Sequence, residues 1–433
     1  MNRFARILVV AFFTLLVPSA LMSFWVEAAT EDSWTSKPPI QSFPNGVAVV
    51  NGKIYTFSGS ETFEYDPNTN VWLAKKPLPT PRSSFGIAVY ENKIYVIGGW
   101  VYTDLRGVPF FSPANEVYDP LTDTWETKAP MPTPRGQLDA NVVNGKIYLI
   151  GGMIQGDIGT PTNLNEVYDL ASDSWTTKAP MPNGVYAYAS AVVDNKIYFI
   201  GGAGPKPPNL NQIYDHATDT WSLGNPVPNP VVDTAAGATT GVWAPKRIYV
   251  IGGRINYGMD GNSLNQVYNP ENDSWTVGAP MPTARFGLRV AVVNDIVYAM
   301  GGWDSFLGSS CSELEQYTPI GYGTVPPAVA VVSPENKTYN ATSVSLIFTV
   351  NKPVVWMGYS LDGQETVTIT GNTTLTSLSN GLHNITVYAG DEFENMGTSE
   401  TITFSIEVPF PTILVQKFCS LILVGFRIAG FQL

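Results

Sequence analysis

The sequence predicts an all-β chain: a six-bladed β-propeller over residues 30–318, then a small β-sandwich over residues 328–408. Three observations carry that prediction. A strand-like segment ending in a small pair recurs six times. In five of the six units a Tyr-Asp or Tyr-Asn step follows, and then a Trp at constant spacing. Beyond residue 319 the pattern stops, and short strands with tight turns take over. The composition agrees, with 39 Gly and 34 Pro for turns, 21 Tyr and 11 Trp for flat packing surface, and only 14% charged residues. Such a mixture suits stacked hairpins rather than amphipathic helices.

Internal repeats decide folds of this kind. The small pair ends the segments 54–59, 94–99, 147–152, 197–202, 248–253 and 297–302, and successive pairs start 40 to 53 residues apart. That is the length of a four-stranded unit. The Tyr steps are Tyr65, Tyr118, Tyr168, Tyr214 and Tyr268, and seven residues after each come Trp72, Trp125, Trp175, Trp221 and Trp275. Pro-x-Pro exits follow at 130–132, 180–182 and 280–282. A Gly pair permits positive φ and close backbone approach. Tyr and Trp fill the space between neighbouring units. The whole pattern resembles the kelch repeat over roughly residues 33–318, and that resemblance implies a propeller of six blades.

The last unit has Gly301-Gly302 and Tyr317 but no following Trp. The missing piece stands at the other end, where the run Asp32-Ser33-Trp34-Thr35 copies Asp173-Ser174-Trp175-Thr176. Residues 32–37 are therefore expected to close the sixth blade, which removes an open sheet edge.

Residues 319–327 are rich in Pro and Gly and read as a linker. Asp362-Gly363 and Asn380-Gly381 are hairpin signals among the short strands that follow. Their spacing resembles the immunoglobulin-like or fibronectin-like spacer modules of surface proteins, in architecture only, because the Cys and Trp framework of true immunoglobulins is absent. Arg3 and Arg6, an apolar run and small residues at Val26 and Ala28 read as a signal peptide over residues 1–28, the alternative being an uncleaved anchor. Residues 409–433 form an apolar tail interrupted by Lys417 and Arg427, the look of a degenerate membrane anchor. Sequons at Asn272, Asn336, Asn340, Asn372 and Asn384 are candidate glycosylation sites and fit an exported, extracellular or cell-surface chain. Cys311 and Cys419 fall in different parts of the chain and are not expected to pair.

Lys plus Arg number 24 against 36 Asp plus Glu, which excludes nucleic acid as a partner. Strand-to-strand turns are tight on one face, so the variable loops gather on the other, where binding usually sits. Those loops carry Trp100, Tyr102, Arg106, Phe110, Arg254, Tyr257, Asp260, Trp303 and Asp304. Aromatics beside a few charges suit a glycan or a protein partner, or else pack their own loops. Arg82, Arg135 and Arg285, each just before a first strand, read as anion contacts at the channel mouth or as consensus residues bonding loop carbonyls. Asp139 interrupts an apolar inner strand and points to the same mouth.

Galactose oxidase shares this look, but two His, at His216 and His383, cannot build its copper site with Cys311. No metal or cofactor is expected. Sialic-acid mutarotases are similar too, and for such chemistry Arg82, Arg135, Asp139, Arg254 and Asp260 are the available groups. The sequence therefore reads as a monomeric recognition module for glycan or protein, with a mutarotase or epimerase as the alternative.

Overall fold

A computed structural model of the chain describes residues 30–101, 110–154, 160–255, 257–304 and 308–409. The proposed signal peptide, the tail from residue 410, Tyr102, Arg106 and Cys419 lie outside the described residues. Every regular element among the described residues is a strand.

Six four-stranded antiparallel sheets follow one another along the chain. Their innermost strands are Gly46–Val50, Gly86–Tyr90, Ala140–Val143, Ala189–Val193, Ala235–Ala238 and Arg289–Val293. Each inner strand touches the next, and the last touches the first, so the sheets form a closed ring. The apolar cores lie between neighbouring sheets. Ala48, Phe57, Ile94 and Tyr118 join the first sheet to the second, and Ile54, Tyr65, Ala291 and Tyr298 join the sixth back to the first.

Local chemistry sets each sheet. The inner hairpins turn through residues at positive φ, such as Asn51 with Gly52 and Asn144 with Gly145. That is the conformation a two-residue I′ turn requires. The Asp-Pro turns on the third strands are Asx turns: Asp66 Oδ1 accepts from Asn68 N at 2.9 Å and Asp119 Oδ1 from Leu121 N at 2.9 Å.

One clasp repeats six times between sheets. A buried third-strand Tyr donates its hydroxyl to an Asp or Asn five residues on, as Tyr118 does to Asp123 at 2.6 Å and Tyr268 to Asp273 at 2.7 Å. The same Asp123 oxygen accepts Lys76 N from the preceding sheet at 3.0 Å. The Trp of each unit completes the clasp, as Trp175 Nε1 does by donating to Ala129 O at 3.0 Å.

The sixth clasp uses the start of the chain. Ser33–Lys37 pairs antiparallel with Leu314–Thr318. Tyr317 donates to Asp32 at 2.8 Å, and Trp34 Nε1 donates to Ala279 O at 2.8 Å. Ser33–Lys37 thus forms the outer strand of the last of the six sheets.

Two further sheets, of three and six strands, enclose an apolar core built wholly from residues 329–408, with Leu346, Ile385, Val387 and Ile406 at its centre. The segment read as a linker is packed rather than free. Gly323 N donates to Trp243 O at 2.7 Å, and the Trp243 ring meets Tyr322 and Phe393. The loop bearing Trp243 is held by buried Asp295, whose carboxylate accepts the backbone N–H groups of Thr240, Val242, Trp243 and Ala244 at 2.6 to 3.1 Å. Lys352 and Asp391, both buried, pair at 2.6 Å beside that ring.

Candidate functional site

The mouth of the central channel is framed by backbone. Ser84, Gln137, Ala187, Asp233 and Gly287 occupy the same place in five successive sheets, all at φ between 50° and 62°. Each passes a hydrogen bond to its neighbour: Gln137 N to Ser84 O at 2.8 Å, Ala187 N to Gln137 O at 3.1 Å, Asp233 N to Ala187 O at 2.9 Å, and Gly287 N to Asp233 O at 2.7 Å. Four bonded links of left-handed backbone make a rigid collar. At the sixth position Arg289 Nε donates to Asn45 O at 2.8 Å and so spans the seam.

A cavity of about 360 Å³ opens inside this collar. Two residues past the collar, the six inner strands carry Gly46, Gly86, Asp139, Ala189, Ala235 and Arg289. Four of these are small and leave room, while Asp139 and Arg289 are charged. Their strands are three places apart in a ring of six, so they face each other across the channel, and both line the cavity with Asp233. Asp139 accepts from Ser190 Oγ at 2.9 Å, and Asn141 bonds the same hydroxyl at 3.1 Å. Gln137, also in the lining, keeps a buried Oε1 with no hydrogen-bond partner.

Asp139 is solvent-exposed where the channel opens, but the sheets that crowd round it limit the water available to its charge. Burial pushes its carboxyl above the ordinary carboxylate value, against the pull of Arg289. Burial raises Asp233 as well, opposed by Arg254 and then Arg289.

Outside the collar lies a vestibule lined by Phe43, Arg254, Met259, Asp260, Phe286 and Trp303, which shares Phe43 and Gly287 with the inner cavity. The Arg254 guanidinium lies over the Phe286 ring at 3.7 Å, and its Nε sits 3.5 Å from Asp233. Trp303 is 42% exposed. Of the loop residues singled out from sequence, Arg254, Asp260 and Trp303 are therefore brought together.

The other described ones are not part of that group. Trp100 packs edge-on against Phe111 at 5.3 Å and lies over Gly136, which makes it part of its own loop. Phe110 is exposed on the partner strand of the same short hairpin. Tyr257 reaches Gly204, donating to its carbonyl at 3.3 Å, and Asp304 is half-buried in the pairing with Ser309.

Arg82, Arg135 and Arg285 do not line the channel, which corrects one of the two readings of these residues. All three are buried between strands. Arg135 donates to Gly151 O at 3.0 Å and Leu149 O at 2.7 Å and pairs with Glu166. Arg82 pairs with Glu116, and Arg285 with Glu315 at 2.8 Å. They tie the backbone before the first strand to the second and third strands of the same sheet. The consensus reading is the right one, because a guanidinium offers five donors to carbonyls that would otherwise be orphaned.

Sequence reasoning missed Arg289 and Asp233. A signal for Arg289 was present: it breaks an apolar inner strand as Asp139 does. The candidate glycosylation residues Asn272, Asn336, Asn340, Asn372 and Asn384 are all exposed. Cys311 is buried and free.

Comparison with known proteins fits this architecture. Residues 114–302 match the family model described as KLHDC2/KLHL20/DRC7 Kelch-repeats domain, and residues 81–132 and 284–321 match the Kelch motif. Kelch-like protein 15 of Danio rerio is 25% identical over 282 residues, which is 61% of this chain and 39% of the relative. The human Kelch-like protein 28 is 36% identical over 113 residues, 25% of this chain and 20% of the relative. This chain thus spans about two fifths of the length of Kelch-like protein 15. Among solved structures, the one titled "Structure of YjhT" superposes with a TM-score of 0.56 at 18% identity, over 64% of this chain and 95% of that one. That likeness speaks for the fold. The chain carries kelch repeats, and they build a β-propeller.

Proposed function

We propose that this kelch β-propeller has six blades, carries an immunoglobulin-like sandwich behind it, and works outside the cytoplasm as a binding protein that recognises a protein or glycan on its loop face. One observation carries the reading: an aromatic vestibule, with Trp303 exposed, opens directly into a charged cavity at the mouth of the channel. Aromatic and Arg side chains on a rigid frame supply contact area at low entropic cost. The signal-peptide pattern and the exposed sequons near the C-terminus support an exported chain.

The test is a binding screen of the protein against glycan and peptide arrays, repeated with Trp303→Ala and Arg254→Ala. Binding that falls at least tenfold in both variants supports the loop-face site. Binding that survives both sinks it.

A second reading, sugar mutarotation or epimerisation, is favoured by one observation: Asp139, with its carboxyl raised, faces Arg289 across the open cavity at the channel mouth. A carboxyl shifted towards neutrality is suited to general acid–base work. Faster anomer exchange of a reducing sugar with the protein than with Asp139→Asn would select this reading.

A further inference from the structure

The inner cavity contains an unusual arrangement of charge. Four charged residues stand at its wall and rim: Asp139, Asp233, Arg289 and Arg254. Arg254 lies 3.5 Å from Asp233, which gives that carboxylate a cation. Asp139 and Arg289 are left over. They occupy matching positions on opposite strands, yet no ion pair within 4.0 Å joins either of them to any charged group among the described residues. Arg289 cannot swing freely to Asp139, because its Nε and Nη1 donate to Asn45 O and Leu288 O. The two charges influence each other through the cavity without touching.

We infer that the channel mouth is a binding site for a small zwitterion whose ammonium group meets Asp139 and whose carboxylate meets Arg289. This assignment does not depend on whether the vestibule outside holds a protein or a glycan. A lone cation would match Asp139 and leave Arg289 without a counter-charge, and a lone anion would do the reverse. A ligand bearing both charges matches both. The size also fits. A cavity of about 360 Å³ equals roughly a dozen water volumes at about 30 Å³ each. It therefore admits an ω-amino acid or a short peptide, whose charges are several bonds apart, and excludes a folded chain.

The experiment is titration calorimetry of the full chain with glycine, β-alanine, γ-aminobutyrate and 6-aminohexanoate. Hexylamine and hexanoate serve as analogues that each lack one charge. The expected result is one preferred length, with either single-charge analogue roughly tenfold or more weaker. Asp139→Asn and Arg289→Gln should each weaken the preferred zwitterion by a similar factor. Leu121→Ala, at an exposed turn between the third and fourth strands of its sheet, should leave its affinity unchanged. The analogue comparison needs no variant and so survives any that misfolds. The inference is overturned if no member of the series binds at millimolar concentration. It is equally overturned if hexylamine or hexanoate binds as tightly as the zwitterion.

Discussion

Replacing Arg135 with Met tests the corrected role of the three buried arginines. Arg135 has no exposed surface and Glu166 is 4% exposed. The substitution removes the donors to Gly151 O, Thr133 O and Leu149 O. It also leaves the Glu166 carboxylate with Thr133 Oγ1, at 2.7 Å, as its remaining side-chain donor. Removing one member of a buried ion pair costs about 3–5 kcal/mol, because the other charge stays behind unmatched. At roughly 2 °C per kcal/mol for a unit of this size, the melting temperature should fall by roughly 6–10 °C. Adding Glu166→Leu removes the stranded charge and should recover about 2 kcal/mol. Arg135→Lys keeps the charge but not the planar fork, so it should fall between Met and the parent. Thermal unfolding followed by Trp fluorescence measures all four. A loss below about 1 kcal/mol for Arg135→Met would refute the reasoning. So would a double variant whose loss equals the sum of the single losses.

Three other outcomes are expected. Trp34→Ala removes the bond to Ala279 O and the contact with Tyr317 at 5.0 Å; it should cost about 2 kcal/mol, seen in denaturant unfolding, and expose the sheet that Ser33–Lys37 completes to protease at the seam. Gly397→Ala places a Cβ 1.9 Å from Pro327 O; forcing the second domain off that backbone should cost roughly 1–3 kcal/mol, whereas Gly363→Ala, whose added Cβ meets no atom within 4 Å, carries only the strain of its positive φ. His383 should make the second domain pH-sensitive: burial lowers its affinity for a proton, but the Ser379 carbonyl and the Asp362 carboxylate outweigh that and raise it above 6.5. A folded-state value above the unfolded one means this stabilisation is fully present below the unfolded value and fades as pH rises through the folded one. Unfolding of His383→Gln, measured across that window, should lack this dependence.

The repeat was legible because every one of its residues is required by local geometry. Tyr, Asp and Trp at fixed offsets are the parts of one clasp, so five complete copies and a split sixth sufficed to place Asp32 and Trp34 opposite Tyr317. The buried arginines were only half legible, although the units themselves held the answer. Where a unit has Arg82, Arg135 or Arg285 before its first strand, it has Glu116, Glu166 or Glu315 two residues before its Tyr. In the fourth and fifth units, where the Arg is missing, the same place holds Gln212 and Gln266. These bond the backbone of Asn183 and Asn229 instead. The packed linker was not legible, because it depends on the Trp243 loop and on Asp295 meeting it from another sheet.

The same comparison of units explains where function is to be sought. Residues that every unit shares hold the ring together, and the collar shows how little freedom they leave: its backbone is bonded from sheet to sheet around the mouth. What can vary without opening the ring is the side chain carried at each collar position and two residues beyond. At the first of these places four units have Ser84, Gln137, Ala187 and Gly287, and only Asp233 is charged. At the second, four are Gly or Ala, and only Asp139 and Arg289 are charged. Packing does not ask for these charges, since a small residue fills the equivalent place in neighbouring sheets. Each of them gives up part of its hydration inside the channel, which carries a cost. A ring that tolerates such groups at the channel mouth, on backbone fixed by hydrogen bonds, holds them where a ligand can offset that cost, and that argument points to the channel mouth rather than to the sheets.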